Sequence, residues 1–144
     1  MSCADDEALL AAFEGATLPR DQWTHRAHVK VAYLYVTRHG FHAGLERMRS
    51  GIRGLNAAHG TAEGPTSGYN ETTTVAFFTI IAATVAAYSA AMPTADADAF
   101  CDTHCHLLSA TLLRLYYSPA QRMKPEAKIR FVGPDLAPLP RITG

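Results

Sequence analysis

Apolar residues recur every three or four positions along most of this chain, the spacing of helices that each bury one face. The first such run spans about Asp5 to Glu14 and ends at Gly15. A second begins near Asp21 or at Thr24, a plausible N-cap, and stops before Gly40. From Phe41 to about Asn56, the residues Phe41, Leu45, Met48, Ile52 and Leu55 form an apolar stripe, with Glu46, Arg47, Arg49 and Arg53 mainly off it. The segment HGTAEGPTSGYN is the one long polar connection, and a fourth helix follows from Glu71 to about Met92. PTADAD then supplies a break and a new cap before a fifth helix, Ala97 to about Tyr116, with Phe100, Leu108, Thr111, Leu112 and Leu115 inward. Prolines at 134, 138 and 140 exclude another long helix beyond Ser118.

These elements predict an all-α fold: a single domain over residues 1–144, a bundle of about five helices with an irregular, proline-rich tail from 118 to 144 packed across it. A chain of 144 residues has room for a full core, since domains of this size bury roughly two-thirds of their unfolded surface. The 13 basic and 13 acidic residues cancel, so no chain-wide pull toward nucleic acid or anionic lipid is expected. Three cysteines, Cys3, Cys101 and Cys105, are too few for a disulfide framework and read as reduced thiols. The N-terminus carries acidic residues where a signal peptide needs basic ones, and the expected compartment is the cytoplasm. Thr72 to Met92 lacks charge, but its five Thr, one Ser and seven Ala suit the central helix of a soluble domain better than a membrane span.

Two histidines interrupt the second stripe on its buried side. With His28 at zero and about 100° per residue, His25 falls at about 60°, among Val31, Ala32, Tyr35 and Val36. In the fourth helix, Glu71 lies within about 60° of Thr74, Val75, Phe78 and Ala82, the one carboxylate of that stripe. Its place in the first turn also suits the helix dipole. Three inward polar groups need mutual hydrogen bonds or a shared cation. Two imidazoles and a facing carboxylate form a set suited to iron(II), zinc or manganese, with positions left open for water or substrate. In the fifth helix, FCDTHCH turns His104 inward as a further ligand or as a donor behind the ligands. HxxH spacing is far less specific than HExxH, and neutral core imidazoles are the plain structural alternative. His59 and His39 read as residues of helix C-termini, and no GxSxG motif supports acyl transfer.

The blocks WTHRAHVKVAYLY, GIRGLNAAHG, GYNETTTVAF, LLRLYYSP and RFVGPDLAPLP together resemble a family of small bacterial all-helical proteins of uncharacterised activity. The resemblance runs from Trp23 to Pro140 and implies that the Trp-Thr-His-Arg-x-His and Tyr-x-Glu-Thr blocks belong to one design. In that family the residue before the glutamate is often histidine; here it is Asn70, and a ligand role for that histidine would pass to His104. DinB-like metal-binding bundles are similar in size and in drawing histidines from different helices, with a different spacing.

The expected function is therefore a small metal-dependent enzyme acting on a small organic molecule inside the bundle, with redox chemistry slightly favoured over hydrolysis. His25, His28 and Glu71 are the expected ligands and catalytic groups, joined by Tyr69; Tyr35, Thr74, Phe78 and Arg130 are expected to shape the substrate pocket. The alternatives are a metal-free acid-base catalyst, an isomerase, cyclase or lyase using His25, His28 and Glu71, and a non-catalytic small-molecule-binding or interaction protein.

Overall fold

A computed structural model describes residues 3–142; Met1, Ser2, Thr143 and Gly144, at the ends of the expected domain, and the side chain of Cys3 lie outside the described residues. The chain is all-α, with six helices and no strand among the described residues: α1 (Cys3–Glu14), α2 (His25–Ala58), α3 (Glu71–Tyr88), α4 (Ala97–Thr103), α5 (Pro119–Arg122) and α6 (Pro125–Ile129). Short 3-10 turns fill Arg20–Gln22, Cys105–Leu108 and Leu112–Leu115.

Polar side chains cap α2, α3 and α4. Thr24 accepts from Ala27 N at 3.1 Å, Asn70 from Thr73 N at 2.9 Å, and Asp96 from Ala99 N at 2.8 Å. Each removes one of the amide donors that a helix start leaves without a partner. Buried Asp6 accepts from Ala97 N at 3.2 Å and so ties α1 to the start of α4.

Gly40 kinks α2 rather than ending it. It alone takes a left-handed conformation, φ 78° and ψ −173°, within residues 25–58. The expected second and third helices are thus one element with a hinge, and the hinge is tight: a Cβ on Gly44 would lie 2.9 Å from the Tyr35 carbonyl oxygen. α3 packs along α2, with Phe78, Ile80 and Ile81 buried in a core that includes Phe13, Val31, Leu55 and Phe100. By length and composition α3 could also cross a membrane; half of it is buried within the structure.

Gly51 makes room for the largest α1 side chain. A Cβ there would stand 2.0 Å from Cε2 of Phe13, whose ring is fully buried and lies 5.0 Å from the Trp23 ring. Gly51→Ala is expected to cost about 1–2 kcal/mol as an overpacked site. Because Trp23 is the only tryptophan, the displaced Phe13 ring should also alter its emission, so urea midpoint and fluorescence of the folded variant check the contact together.

The expected fifth helix, Ala97 to Tyr116, is cut short at Thr103. His104 leaves helical geometry at φ −116° and ψ 53°. Further on, the Ser109 hydroxyl takes the Thr111 amide at 3.2 Å, the donor that a continuing α-helix would direct at the Leu107 carbonyl. The helical phase is lost beyond this point, and Leu115, expected inward, is 66% exposed.

The tail is less irregular than expected, since Pro119 and Pro125 each open a short helix. It is pinned to the bundle by polar contacts. The hydroxyl of Thr72, at the start of α3, donates to the Arg130 carbonyl at 2.9 Å and accepts from Val132 N at 3.0 Å. The hydroxyl of buried Tyr117 donates to the Val132 carbonyl at 2.6 Å.

Candidate active site

A cavity of about 330 Å³ lies where the first turn of α2, its second half and the start of α3 meet, floored by Leu112 and Leu113. That volume sits at the lower end of small-molecule pockets. Five of the residues singled out in the sequence line it: His25, His28, Tyr69, Thr74 and Phe78. No aspartate or glutamate does.

Each of the two imidazoles is anchored by one nitrogen to a main-chain carbonyl. Nε2 of His25 lies 2.9 Å from the Leu107 oxygen, and Nδ1 of His28 lies 2.7 Å from the Thr24 oxygen. A carbonyl only accepts, so those nitrogens carry hydrogens, and in the neutral imidazole the lone pair falls on Nδ1 of His25 and on Nε2 of His28. The Leu107 carbonyl is available because Ser109 diverts the amide that would otherwise occupy it. The rings stand 6.4 Å apart at 27°, and the Trp23 ring stacks on His28 at 3.7 Å. Burial pushes His28 down to about 4, with nearby His25 adding to the effect against the pull of the Thr24 carbonyl. His28 is therefore neutral at neutral pH.

Glu71 does not join them. Its carboxylate receives Nε of Arg49 at 3.1 Å on both oxygens, Nη2 of Arg49 at 2.7 Å, and the Tyr69 hydroxyl at 2.5 Å. Burial alone would raise its pKa, but the hydrogen bonds from Arg49 and Tyr69 outweigh that and hold it below the usual carboxylate range. Among the described residues, no three His, Cys, Asp or Glu side chains converge as a metal-holding group. Tyr69 couples the ion pair to the cavity: it lines the cavity while its hydroxyl rests on Glu71, and the Arg53 guanidinium covers its ring at 4.3 Å. Burial, reinforced by the Glu71 hydrogen bond, pushes this phenol up to about 12.

Three expected site residues lie elsewhere. Tyr35 is buried in the core, where its hydroxyl donates to Glu14 at 2.7 Å and fastens α2 to α1. Arg130 sits exposed on the tail beside Glu126 at 3.3 Å. His104 is buried against Phe100 and Tyr88 and lines a separate crevice with Tyr33 and Thr94; the early end of α4 sets it there. His59 does close α2, donating from Nε2 to the Leu18 carbonyl at 2.8 Å. The geometry adds Trp23, Asn56 and Arg122 to the cavity. Trp23 was within reach of sequence reasoning, two positions before His25, whereas Arg122 carries no local signal.

The chain matches no protein-family model, no curated protein and no solved structure.

Proposed function

We propose that the protein is an enzyme that holds a small organic molecule in the cavity between α2 and α3 and moves a proton on it with His25 and His28, as an isomerase, cyclase or lyase does. The observation that carries this is the double anchoring. Two imidazoles in one cavity each spend their N–H on a main-chain carbonyl, and each keeps a lone pair. One nitrogen takes a proton from the substrate, and the imidazolium formed returns it to another atom of that substrate or to its leaving group. Thr74 and Phe78 shape the cavity, and Tyr69 borders it as a neutral phenol held in place by Glu71 and Arg49. The proposal also keeps a cytoplasmic setting, in accord with free thiols at Cys101 and Cys105.

A second reading rests on the same anchoring, because histidines that bind metals are commonly held by an N–H donated to a carbonyl. A divalent ion, iron(II), zinc or manganese, would then sit on the two lone-pair nitrogens with positions open for substrate. Glu71 would enter that set only by leaving Arg49.

Trp23 makes both readings testable, since the single tryptophan stacks on His28. Small ring compounds that enter the cavity are expected to shift its emission and the nitrogen resonances of both histidines. His28→Ala should weaken such binding about tenfold or more while the variant stays folded, a loss of about 1.4 kcal/mol. Titration with zinc, manganese and anaerobic iron(II) by the same resonances separates the readings: a cation bound at His25 and His28 favours the metal, and compounds bound without one favour proton transfer. Resonances that respond to neither would refute the site.

A further inference from the structure

We infer that the molecule bound in this cavity is a small organic anion, a carboxylate or a phosphate monoester, with its charged end at Arg122 and Arg114 and its uncharged body reaching toward His28. This rests on the cavity being a small-molecule site and adds the chemical class of what enters it.

A second recess of about 360 Å³ adjoins the first, and the two share Gly68, Asn70, Thr73 and Arg122 as walls. Arg114 and Lys128 also line this recess, and no aspartate or glutamate lines either one. The three cations are not equivalent. The Lys128 ammonium is occupied, 3.1 Å from Glu63 and donating to the carbonyls of Ser67 at 2.8 Å and Tyr69 at 2.6 Å. The Arg114 and Arg122 guanidinia form no ion pair or hydrogen bond with any described residue, so each presents a full set of donors.

The shared wall between the recesses also offers donors. Asn70 spends its side-chain oxygen on the Thr73 amide, which leaves its NH2 group unspent where the two recesses meet. Thr73 also lines both recesses. A guanidinium with neutral donors around it and no competing carboxylate selects a planar or tetrahedral oxyanion.

The tail holds Arg122 in place. The Ser118 amide and hydroxyl donate to Asp135 at 2.8 and 2.6 Å, and the same hydroxyl accepts from Gln121 N at 3.1 Å, which caps the turn that carries Arg122. Gln121 Nε2 adds a bond to the Gly133 carbonyl at 2.8 Å. The polar recess adjoins the first cavity, whose lining includes Phe77, Phe78, Met48 and Leu113. The match is an amphiphile with one anionic end and a compact apolar body.

The test uses the full chain with benzoate, phenyl phosphate, inorganic phosphate and benzamide, the uncharged analogue of benzoate. Binding is read by calorimetry and by Trp23 emission. At least one aromatic anion should bind about tenfold more tightly than benzamide, and Arg122→Gln should remove most of that advantage by weakening the anion far more than benzamide. Arg130→Gln, at an exposed arginine outside both recesses, should change nothing. Benzamide binding as well as the anions, with Arg122→Gln without effect, overturns the anion assignment and leaves the cavity reading standing. Inorganic phosphate binding as tightly as phenyl phosphate also overturns it, because the body would then not enter the cavity. If none of the four binds, the small-molecule reading of the cavity falls with it.

Discussion

Lowering the pH from 7 to 4 should remove about 3 kcal/mol of folding stability through His28 alone, because one pKa unit corresponds to about 1.4 kcal/mol. Its pKa lies near 4 in the folded chain, against 6.5 for an ordinary histidine, chiefly because burial disfavours the imidazolium. The unfolded chain therefore takes up this proton first as the pH falls. The contribution is complete above about pH 6.5, declines between 6.5 and 4, and changes no further once both states are protonated. Denaturant unfolding of wild type and His28→Gln at several pH values checks it. The variant loses the Trp23 stack, which offsets its curve at every pH, but the slope in that window should flatten by the stated amount. Parallel curves for the two proteins would show that His28 is not held neutral by its surroundings.

The same feature is what makes His28 useful at a site. Burial in the lee of Trp23 favours the base form, and the Thr24 carbonyl fixes which nitrogen carries the lone pair. A neutral imidazole of fixed tautomer is ready to accept a proton or to bind a cation without first losing one. Acid sensitivity and chemical readiness are two consequences of one environment. A ligand that seals the cavity should leave the first in place while using the second.

Local pattern made part of this legible. His25 and His28 fall on one helix face because three residues are close to a helical turn, and Thr24 and Asp96 cap helices because their oxygens suit a nascent helix start. What the pattern lacks is tertiary register. The partner of His25 is the Leu107 carbonyl, 82 positions away, and it is open only because a serine two residues further on intercepts an amide. Nothing like Gly or Pro marks the end of α4 at His104, so periodicity alone carried the fifth helix on to Tyr116 and placed Leu115 inward. At Gly40 the opposite happened: a residue that commonly ends helices accommodates a single left-handed step, after which the helix resumes. Tyr35 lies outside the pocket for a related reason, since its side of α2 faces α1 and Glu14.

Arg49 decides what Glu71 can do, and Arg49→Met should cost about 2–3 kcal/mol at pH 7, as expected when one partner of a mostly buried pair is removed. The two side chains are 24% and 14% exposed, so neither recovers full hydration when the other is lost. In the wild type, the Glu71 contribution is complete above the ordinary carboxylate pKa of 4.5 and is lost as the pH falls through its lower folded value. Without Arg49, only the Tyr69 hydrogen bond and nearby Arg53 still oppose the burial that raises this carboxyl's pKa, so the stability lost through this residue on acidification should shrink. The acid sensitivity contributed by Glu71 is thus smaller in the variant, and the double variant Arg49→Met with Glu71→Gln should recover much of the loss. Unfolding curves of the single and double variants at pH 7 and 4 read both effects. Zinc titration of the single variant adds a chemical readout: Arg49 occupies the carboxylate expected as third ligand, and its removal should raise zinc affinity where Glu71 reaches the imidazoles. Equal zinc affinity in wild type and variant would leave the two imidazoles working without that carboxylate, the arrangement that proton transfer requires.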